Sequence, residues 1–419
     1  MENLFTTNEL LISTFDGTNT KVAWAIQCLV DNCRDFNNFR GNRKISEVSN
    51  KNISNLKGFT SRILLVTIVF EGGNGVPFKC VMKLPGQSIV IEEENGEDVK
   101  DEVVAAERNL YMLVHNREAM FLNKYQDIKG LRIPKCYGVK DWINKKQEGA
   151  ILMNYLGDTH AHVGYFENLN VEQTQSVLDQ IFILQKHFLL KRDEDWKPHF
   201  TPIVKASDYG VWIKAFEPNF TLMKSFVDES LYKDTEKEIL ALSSNYVEML
   251  DYLLTVLPFE EGNQSVFTHS DSWINNFLFT KNGEGKPSND VTLLDFQICY
   301  NGGIGNDLSN TLINSTTPEI RKQLEKTLPD YYQKLKNETG DKLRICYETF
   351  KKNYDLSSIS HACLFTMCVG VNLKVNGAKD GCADWDIKKK DAAFKSITAL
   401  NDAVYAARVL KPEWLIKKE

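Results

Sequence analysis

The sequence predicts an α+β chain in two lobes, a β-rich one over 1–155 and a mostly helical one over 156–419. Three observations predict it. The 419 residues exceed what one hydrophobic core usually serves. Strand-type runs crowd the first third. Past Leu156-Gly157-Asp158 the apolar spacing becomes helical.

In the first lobe, Ile63 to Phe70 is a β-branched apolar run closed by the turn signal Glu71-Gly72-Gly73-Asn74-Gly75, and Phe78 to Leu84 is the next strand, so the two read as a hairpin. Asp101 to His115 reads as a helix. Ile133 to Val139 and Gly149 to Tyr155 read as further strands. In the second lobe Val177, Ile181, Leu184 and Phe188 keep the i, i+4, i+7, i+11 spacing of one helical face. Further helices are expected over Val211–Val227, Thr235–Leu257, Pro318–Lys336 and Asp386–Leu410. A strand pair carrying Asp271 and Asp295 interrupts them.

Composition narrows the class. A net charge of −6 gives nucleic acid no electrostatic footing, so no nucleic-acid partner is expected. Nine scattered cysteines without a Cys-x-x-Cys pair point to reduced thiols and a cytoplasmic setting. No signal peptide is read at the start, and apolar runs such as Ile63 to Phe70 are too short to span a bilayer, so no membrane is expected. Oligomeric state is not legible, with a monomer as the default.

Strand alternation puts Lys79, Val81 and Lys83 on one face and Phe78, Cys80 and Met82 on the other. A Val two residues before a Lys suits a nucleotide site, Val81 covering the base and Lys83 reaching the phosphates; the alternative is a solvated strand with two exposed lysines. Val103, Glu107, Leu110 and Val114 share one helical face. Glu107 therefore sits on an apolar stripe, where an unpaired carboxylate is costly, and a Lys83–Glu107 ion pair is expected. Leu56-Lys57-Gly58-Phe59-Thr60-Ser61 precedes the first long strand. Gly58 would let the backbone approach phosphates, with Thr60 and Ser61 as hydroxyl donors. Gly302-Gly303-Ile304-Gly305 lacks the third glycine of a dinucleotide fingerprint, and nothing matches a Walker loop, a Gly-x-Ser-x-Gly elbow or a His-Glu-x-x-His zinc site.

The richest stretch is Val266 to Phe279. An apolar run leads into His269-Ser270-Asp271, Asn276 follows five residues after that Asp, and a second apolar run ends in Asp295-Phe296. This is the order of parts in a phosphotransfer site: a base (Asp271) and two metal ligands (Asn276, Asp295), with Mg²⁺ bridging the phosphates of ATP. His269 is expected to fix the loop through backbone hydrogen bonds. Asp307 reads either as an anchor for that loop's backbone or as a helix N-cap. Thr317-Pro318-Glu319 is best read as a helix start. Ser270 stands where protein kinases carry Arg, and the path from Asp295 to Asp307 leaves little room for an activation loop, so a small-molecule acceptor is favoured over a protein.

The chain resembles the choline-kinase-like (CHK) kinases, in particular the ecdysteroid-kinase-like group and its nematode relatives. The residues that carry the resemblance are His269-x-Asp271-x-Trp273-x-x-Asn276-x-x-Phe279, Asp295-Phe296-Gln297 and Asp307-Leu308. The resemblance implies a protein-kinase-like bilobal fold and ATP-dependent phosphorylation of a hydroxyl on a hydrophobic metabolite. It also implies adenine binding by the hinge Leu152-Met153-Asn154-Tyr155-Leu156, with Met153, Asn154 and Tyr155 at the nucleotide. Ser270 departs from the usual Gly, and Asn154 from a common acidic residue. The alternatives are a choline- or ethanolamine-type kinase, for which Asp384, Trp385 and Asp386 could cage a cation, and a nucleotide-binding pseudokinase.

Overall fold

The computed structural model describes residues 2–54, 61–72, 75–86, 101–375 and 383–418, with the side chains of Glu2, Ala383 and 101–107 outside the description. The chain forms two compact units. The first is Met1–Asp127 with Ile133–Thr159, and the second is Ile128–Arg132 with His160–Glu419. The first unit holds a five-stranded sheet and the second is mostly helical, the α+β, kinase-like arrangement expected.

The first unit opens with helices α1 (Asn8–Ile12), α2 (Val22–Asn32) and α3 (Arg34–Arg40), none of which the sequence reading placed. Strands β1 (Ile45–Asn52), β2 (Ser61–Phe70) and β3 (Phe78–Pro85) follow. Helix α4 (Asp101–Tyr125) then precedes β4 (Cys136–Lys140) and β5 (Ala150–Asn154). Among the described residues these strands make one antiparallel sheet in the order β1-β2-β3-β5-β4. The period of two sorts its faces. Leu64, Val66, Ile68 and Phe70 on β2, Cys80, Met82 and Leu84 on β3, and Ala150 and Leu152 on β5 form one buried cluster with Ala25, Ile26 and Leu29 of α2. Val81, Lys83, Ile151 and Met153 take the opposite parity and are buried too.

In the second unit β6 (His160–Ala161) precedes α5 (Val171–Leu189), α6 (Phe216–Lys224), α7 (Glu236–Ser244) and α8 (Tyr246–Asp251). The expected helix over Thr235–Leu257 is split: α7 and α8 break at Asn245, and a π-helical turn spans Tyr252–Val256. Strands β7 (Ser265–Thr268), β8 (Phe277–Lys281), β9 (Pro287–Leu293) and β10 (Tyr300–Gly303) form two small antiparallel sheets, β7 with β10 and β8 between β6 and β9. The rest is helical: α9 (Asn306–Ser315), α10 (Pro318–Glu325), α11 (Leu328–Thr339), α12 (Tyr347–Val375) and α13 (Ala383–Leu410). The span read as one helix, Pro318–Lys336, breaks at Lys326-Thr327. Thr317 caps α10 as expected, its hydroxyl accepting from Ile320 N at 3.3 Å.

Helix α12 is the central strut, packed by α6, α9 and α13. Its more C-terminal part is apolar on most sides, so it carries little one-sided periodicity, and the helix escaped the sequence reading. It also has the length and apolarity of a membrane span, but 72% of its most apolar window is buried inside the protein.

Candidate active site

In the first unit the strand face decides the geometry. Lys83 Nζ lies 2.6 Å from Glu118 Oε2, both side chains buried. Glu118 is therefore a carboxylate that meets Lys83, while the side chain of Glu107, the expected partner, falls outside the described residues. Helical phase explains the pairing seen. Glu118 lies eleven residues after Glu107, three turns on, so it continues the same stripe, and α4 runs ten residues beyond the expected end at His115. Val81 is buried on the face of Lys83 and pairs across the sheet with Met153. The solvated-strand alternative thus fails for Lys83. It holds for Lys79, a half-exposed side chain that pairs with Asp158 at 3.0 Å.

Of the phosphate-loop candidates, Ser61 starts β2, whereas Gly58 and Thr60 lie outside the described residues. At the hinge, Asn154 N donates to Lys135 O at 3.0 Å and Asn154 Oδ1 accepts from Lys135 N at 2.8 Å. A backbone donor from Asn154 to adenine is therefore not part of this arrangement. Tyr155 packs beside Gly157, where any Cβ would meet its hydroxyl at 2.4 Å.

In the second unit one loop is tied from four sides. β7 delivers His269 and Ser270 to α9, where Asp307 accepts both backbone N–H groups, at 2.7 Å on Oδ2 and 2.8 Å on Oδ1. Asp307 is the anchor, and the N-cap position belongs to Gly305. Burial pushes the Asp307 carboxyl up to about 6, while the two N–H donors pull it back down. Ser270 has φ +70°, a left-handed backbone that a Gly would adopt without strain. Asn310 Nδ2 donates to Ser270 O at 3.2 Å and holds it there.

His269 links this loop to the second apolar run. Asp271 N donates to His269 Nδ1 at 3.2 Å, which makes Nδ1 the acceptor, so Nε2–H donates to Leu294 O at 2.9 Å. Its ring lies 4.4 Å from that of Phe296. Asn276 completes the frame. Its Nδ2 donates to Asp271 O at 2.9 Å and to Asp271 Oδ2 at 2.7 Å, and Leu294 N donates to Asn276 O at 2.9 Å. The residue before Asp295 is thereby pinned to Asn276, and Asp295 turns out of the strand with φ +67°. Trp273 meets Tyr165 edge-on at 5.8 Å.

The donor set fits Mg²⁺. With Nδ2 committed to Asp271, the Asn276 amide presents Oδ1, and Asp295 adds a carboxylate: two hard oxygen donors. Among the described residues no cluster of three or more His, Cys, Asp or Glu could hold a metal by itself.

Beside Ser270 opens a cavity with about 50 Å³ of free space, lined by Tyr209, Tyr246, Tyr300, Asn306 and His361 among aliphatic side chains. The Tyr209 hydroxyl keeps its proton, first through burial and then through the negative charge of Asp271. The sequence reading missed this cavity, because its residues are spread from Pro202 to Leu364. Two of its leucines, Leu253 and Leu254, sit on the π-helical turn, a local irregularity common at functional sites. The proposed cation cage does not form here. Trp385 is buried against Phe166, at 4.8 Å and edge-on, and Asp386 pairs with Lys389 at 2.8 Å. The glycines of Gly302-Gly303-Ile304-Gly305 serve packing. A Cβ on Gly305 would lie 2.3 Å from Tyr354 N of α12.

Residues 36–390 match the DUF1679 family, described as "Uncharacterized oxidoreductase dhs-27". The chain belongs to this family. A curated relative, the uncharacterized oxidoreductase dhs-27 of Caenorhabditis elegans, is 28% identical over 360 residues. The match covers 80% of this chain but 42% of the relative, so the chain spans under half the length of the protein that carries that name. Solved structures with a loose likeness include a spectinomycin phosphotransferase in complex with ADP and spectinomycin, at 12% identity and TM-score 0.40, covering 87% of this chain and 97% of that one. A Plasmodium vivax ethanolamine kinase is similar at 11% identity and TM-score 0.33, covering 84% and 81%.

Proposed function

We propose that this chain is an ATP-dependent small-molecule kinase, transferring the γ-phosphate to a hydroxyl of a largely apolar metabolite. One observation carries the reading: the loop that orients Asp271. Its backbone is clamped by Asp307, its carboxylate is held by Asn276, and its position is tied to Asp295 through His269 and Leu294. Phosphoryl transfer asks of a protein chiefly positioning and charge neutralisation, and a loop tied from four sides supplies the first.

The roles follow from the atoms. Asp271 Oδ2 is steadied by the Asn276 amide, and its carboxylate accepts the acceptor hydroxyl's proton or aims that hydroxyl at the phosphate. Asn276 and Asp295 would hold Mg²⁺, which supplies positive charge to the phosphates. In the first unit Lys83, kept extended by Glu118, is the cation for the α/β-phosphates.

The cavity beside Ser270 is lined mainly by apolar and aromatic side chains, with no acidic residue among its lining and His361 as its one titratable nitrogen. The apolar share suits a hydrophobic acceptor, while Tyr209, Tyr246 and Tyr300 are also the kind of aromatic face that a choline-type cation takes. The ecdysteroid-kinase-like resemblance agrees with an apolar, hydroxylated acceptor. The oxidoreductase name of the longer relative finds no dinucleotide motif here, since the glycine cluster after β10 is used in helix packing.

The test is a nucleotide assay on the purified chain. ADP release in MgATP should rise on adding neutral hydroxylated metabolites, and mass detection should find a product heavier by one phosphoryl group. Tight MgATP binding with no phosphorylated product from any class of alcohol would overturn the proposal in favour of a pseudokinase.

A further inference from the structure

The first unit holds a cavity of about 440 Å³, within the roughly 300–1,000 Å³ of small-molecule sites. Its walls come from four places: the turn at Gly17-Thr18, the paired ends of β2 and β3 (Arg62, Leu84, Pro85), Arg108 on α4, and the β4–β5 hairpin from Trp142 to Gly149. Arg62 sits opposite Leu84 in the ladder, and Leu84 takes the parity opposite to Lys83. Arg62 is therefore turned away from the face that carries Lys83, and no lining residue is among those given a role in phosphoryl transfer.

The charge in this cavity is one-sided. Arg62, Arg108 and Lys145 line it, and among the described residues none of the three is in an ion pair. The carboxylate in the lining, Glu148, is already engaged: its Oε2 accepts from Asn19 N at 2.8 Å and its Oε1 from Asn19 Nδ2 at 2.6 Å. Backbone geometry sets two of the cations in place. Arg62 Nη2 donates to Gly17 O at 3.1 Å. Gly17, at φ +68°, makes room for that guanidinium, since a Cβ there would lie 3.3 Å from Nη1. A single carbonyl fixes the fork and leaves its remaining N–H groups for an anion. Lys145 has φ +58°, a left-handed backbone that suits Gly or Asn, in a hairpin closed by reciprocal bonds between Ile143 and Gln147 at 2.9 Å. A glycine would make that turn with less strain; the lysine places a cation on the cavity. Beside the cations, Trp142, Leu84 and Pro85 supply an apolar wall.

From this lining we infer that the cavity is a binding site for a small organic anion with a flat apolar body. The planar forks of Arg62 and Arg108 suit anionic oxygens, and the Lys145 ammonium adds a third positive charge. The indole of Trp142, with Leu84 and Pro85, takes the ring. A ligand of this class is bound and not transformed.

The experiment titrates the full chain by calorimetry with three probes: cinnamate, its neutral isostere cinnamide, and acetate. The indole ¹⁵N–H resonance of Trp142, assigned from Trp142→Phe, reports where they bind. Cinnamate should bind roughly tenfold tighter or more than either of the others, the scale of one charge-assisted hydrogen bond, and it should move the Trp142 resonance. Its advantage over the amide should shrink as salt is raised. The advantage should vanish in the double variant Arg108→Gln/Lys145→Gln, whose two side chains are exposed and lie outside the core. Equal affinities for cinnamate and cinnamide would overturn the inference, as would cinnamate that leaves Trp142 unmoved or fails to bind at millimolar concentration. Acetate binding as tightly as cinnamate would overturn the ring-bearing class. The wild-type titrations decide the matter even where a variant does not fold.

Discussion

Asp307 shows how one residue can be read correctly in part. Its place twelve residues after Asp295 suggested two roles, and the structure chooses between them by geometry: both oxygens face the loop's N–H groups, while Gly305 holds the cap position. Asp307→Asn keeps the shape but not the bonding, because one amide oxygen cannot replace two carboxylate oxygens and the new NH₂ would face an N–H. Turnover should fall roughly tenfold or more, the scale of a displaced reactive group. The pH dependence has a definite sign. The folded carboxyl sits near 6 and the unfolded one near ~3.9, so the folded chain binds the extra proton between those values. The contribution to stability is present at low pH and is lost as pH rises through about 6. Melting curves from pH 4 to pH 8 should show wild type losing stability relative to Asp307→Asn as pH rises; a constant difference would count against the assignment. Ser270 is a different lesson. Its φ of +70° is one that a Gly would adopt without strain, and nothing in a serine's own sequence position reveals a backbone angle.

At the scale of elements, alternation along β3 was fully legible. Period two alone put Val81 and Lys83 on one face, and both are buried there. Helix α4 was legible in phase but not in length. The expected end at His115 left out Asn116-Arg117-Glu118, of which Arg117 and Glu118 are both buried, and so Glu118, a partner of Lys83, was passed over. The structural consequence can be measured. Glu118→Ala leaves an ammonium buried beside Val81 without its carboxylate, which should cost about 3–5 kcal/mol. Replacing Lys83 and Glu118 together by Met and Leu should recover most of that stability while abolishing nucleotide binding. Urea denaturation of the three proteins is the check, and a Glu118→Ala chain as stable as wild type would refute the pair. Helix α12 failed to register for another reason. Its more C-terminal part is apolar on most sides, which leaves little of the one-sided stripe by which helices are found in a sequence.

At the scale of the molecule, the order of a β-rich unit and a helical unit was readable, because each half carries its own period. The cavity beside Ser270 was not, because its walls converge from segments as far apart as Pro202 and Leu364, and only folding brings them together. The chain matches under half of the longer relative, so its activity has to be established on this chain itself. The most direct measurement sets wild type beside Asp271→Asn in one mixture of MgATP and hydroxylated metabolites, with mass detection of phosphorylated products. The account predicts a product from wild type and, from the variant, a rate lower by roughly 10²-fold or more with ATP binding retained. Equal product formation by the two proteins would contradict it.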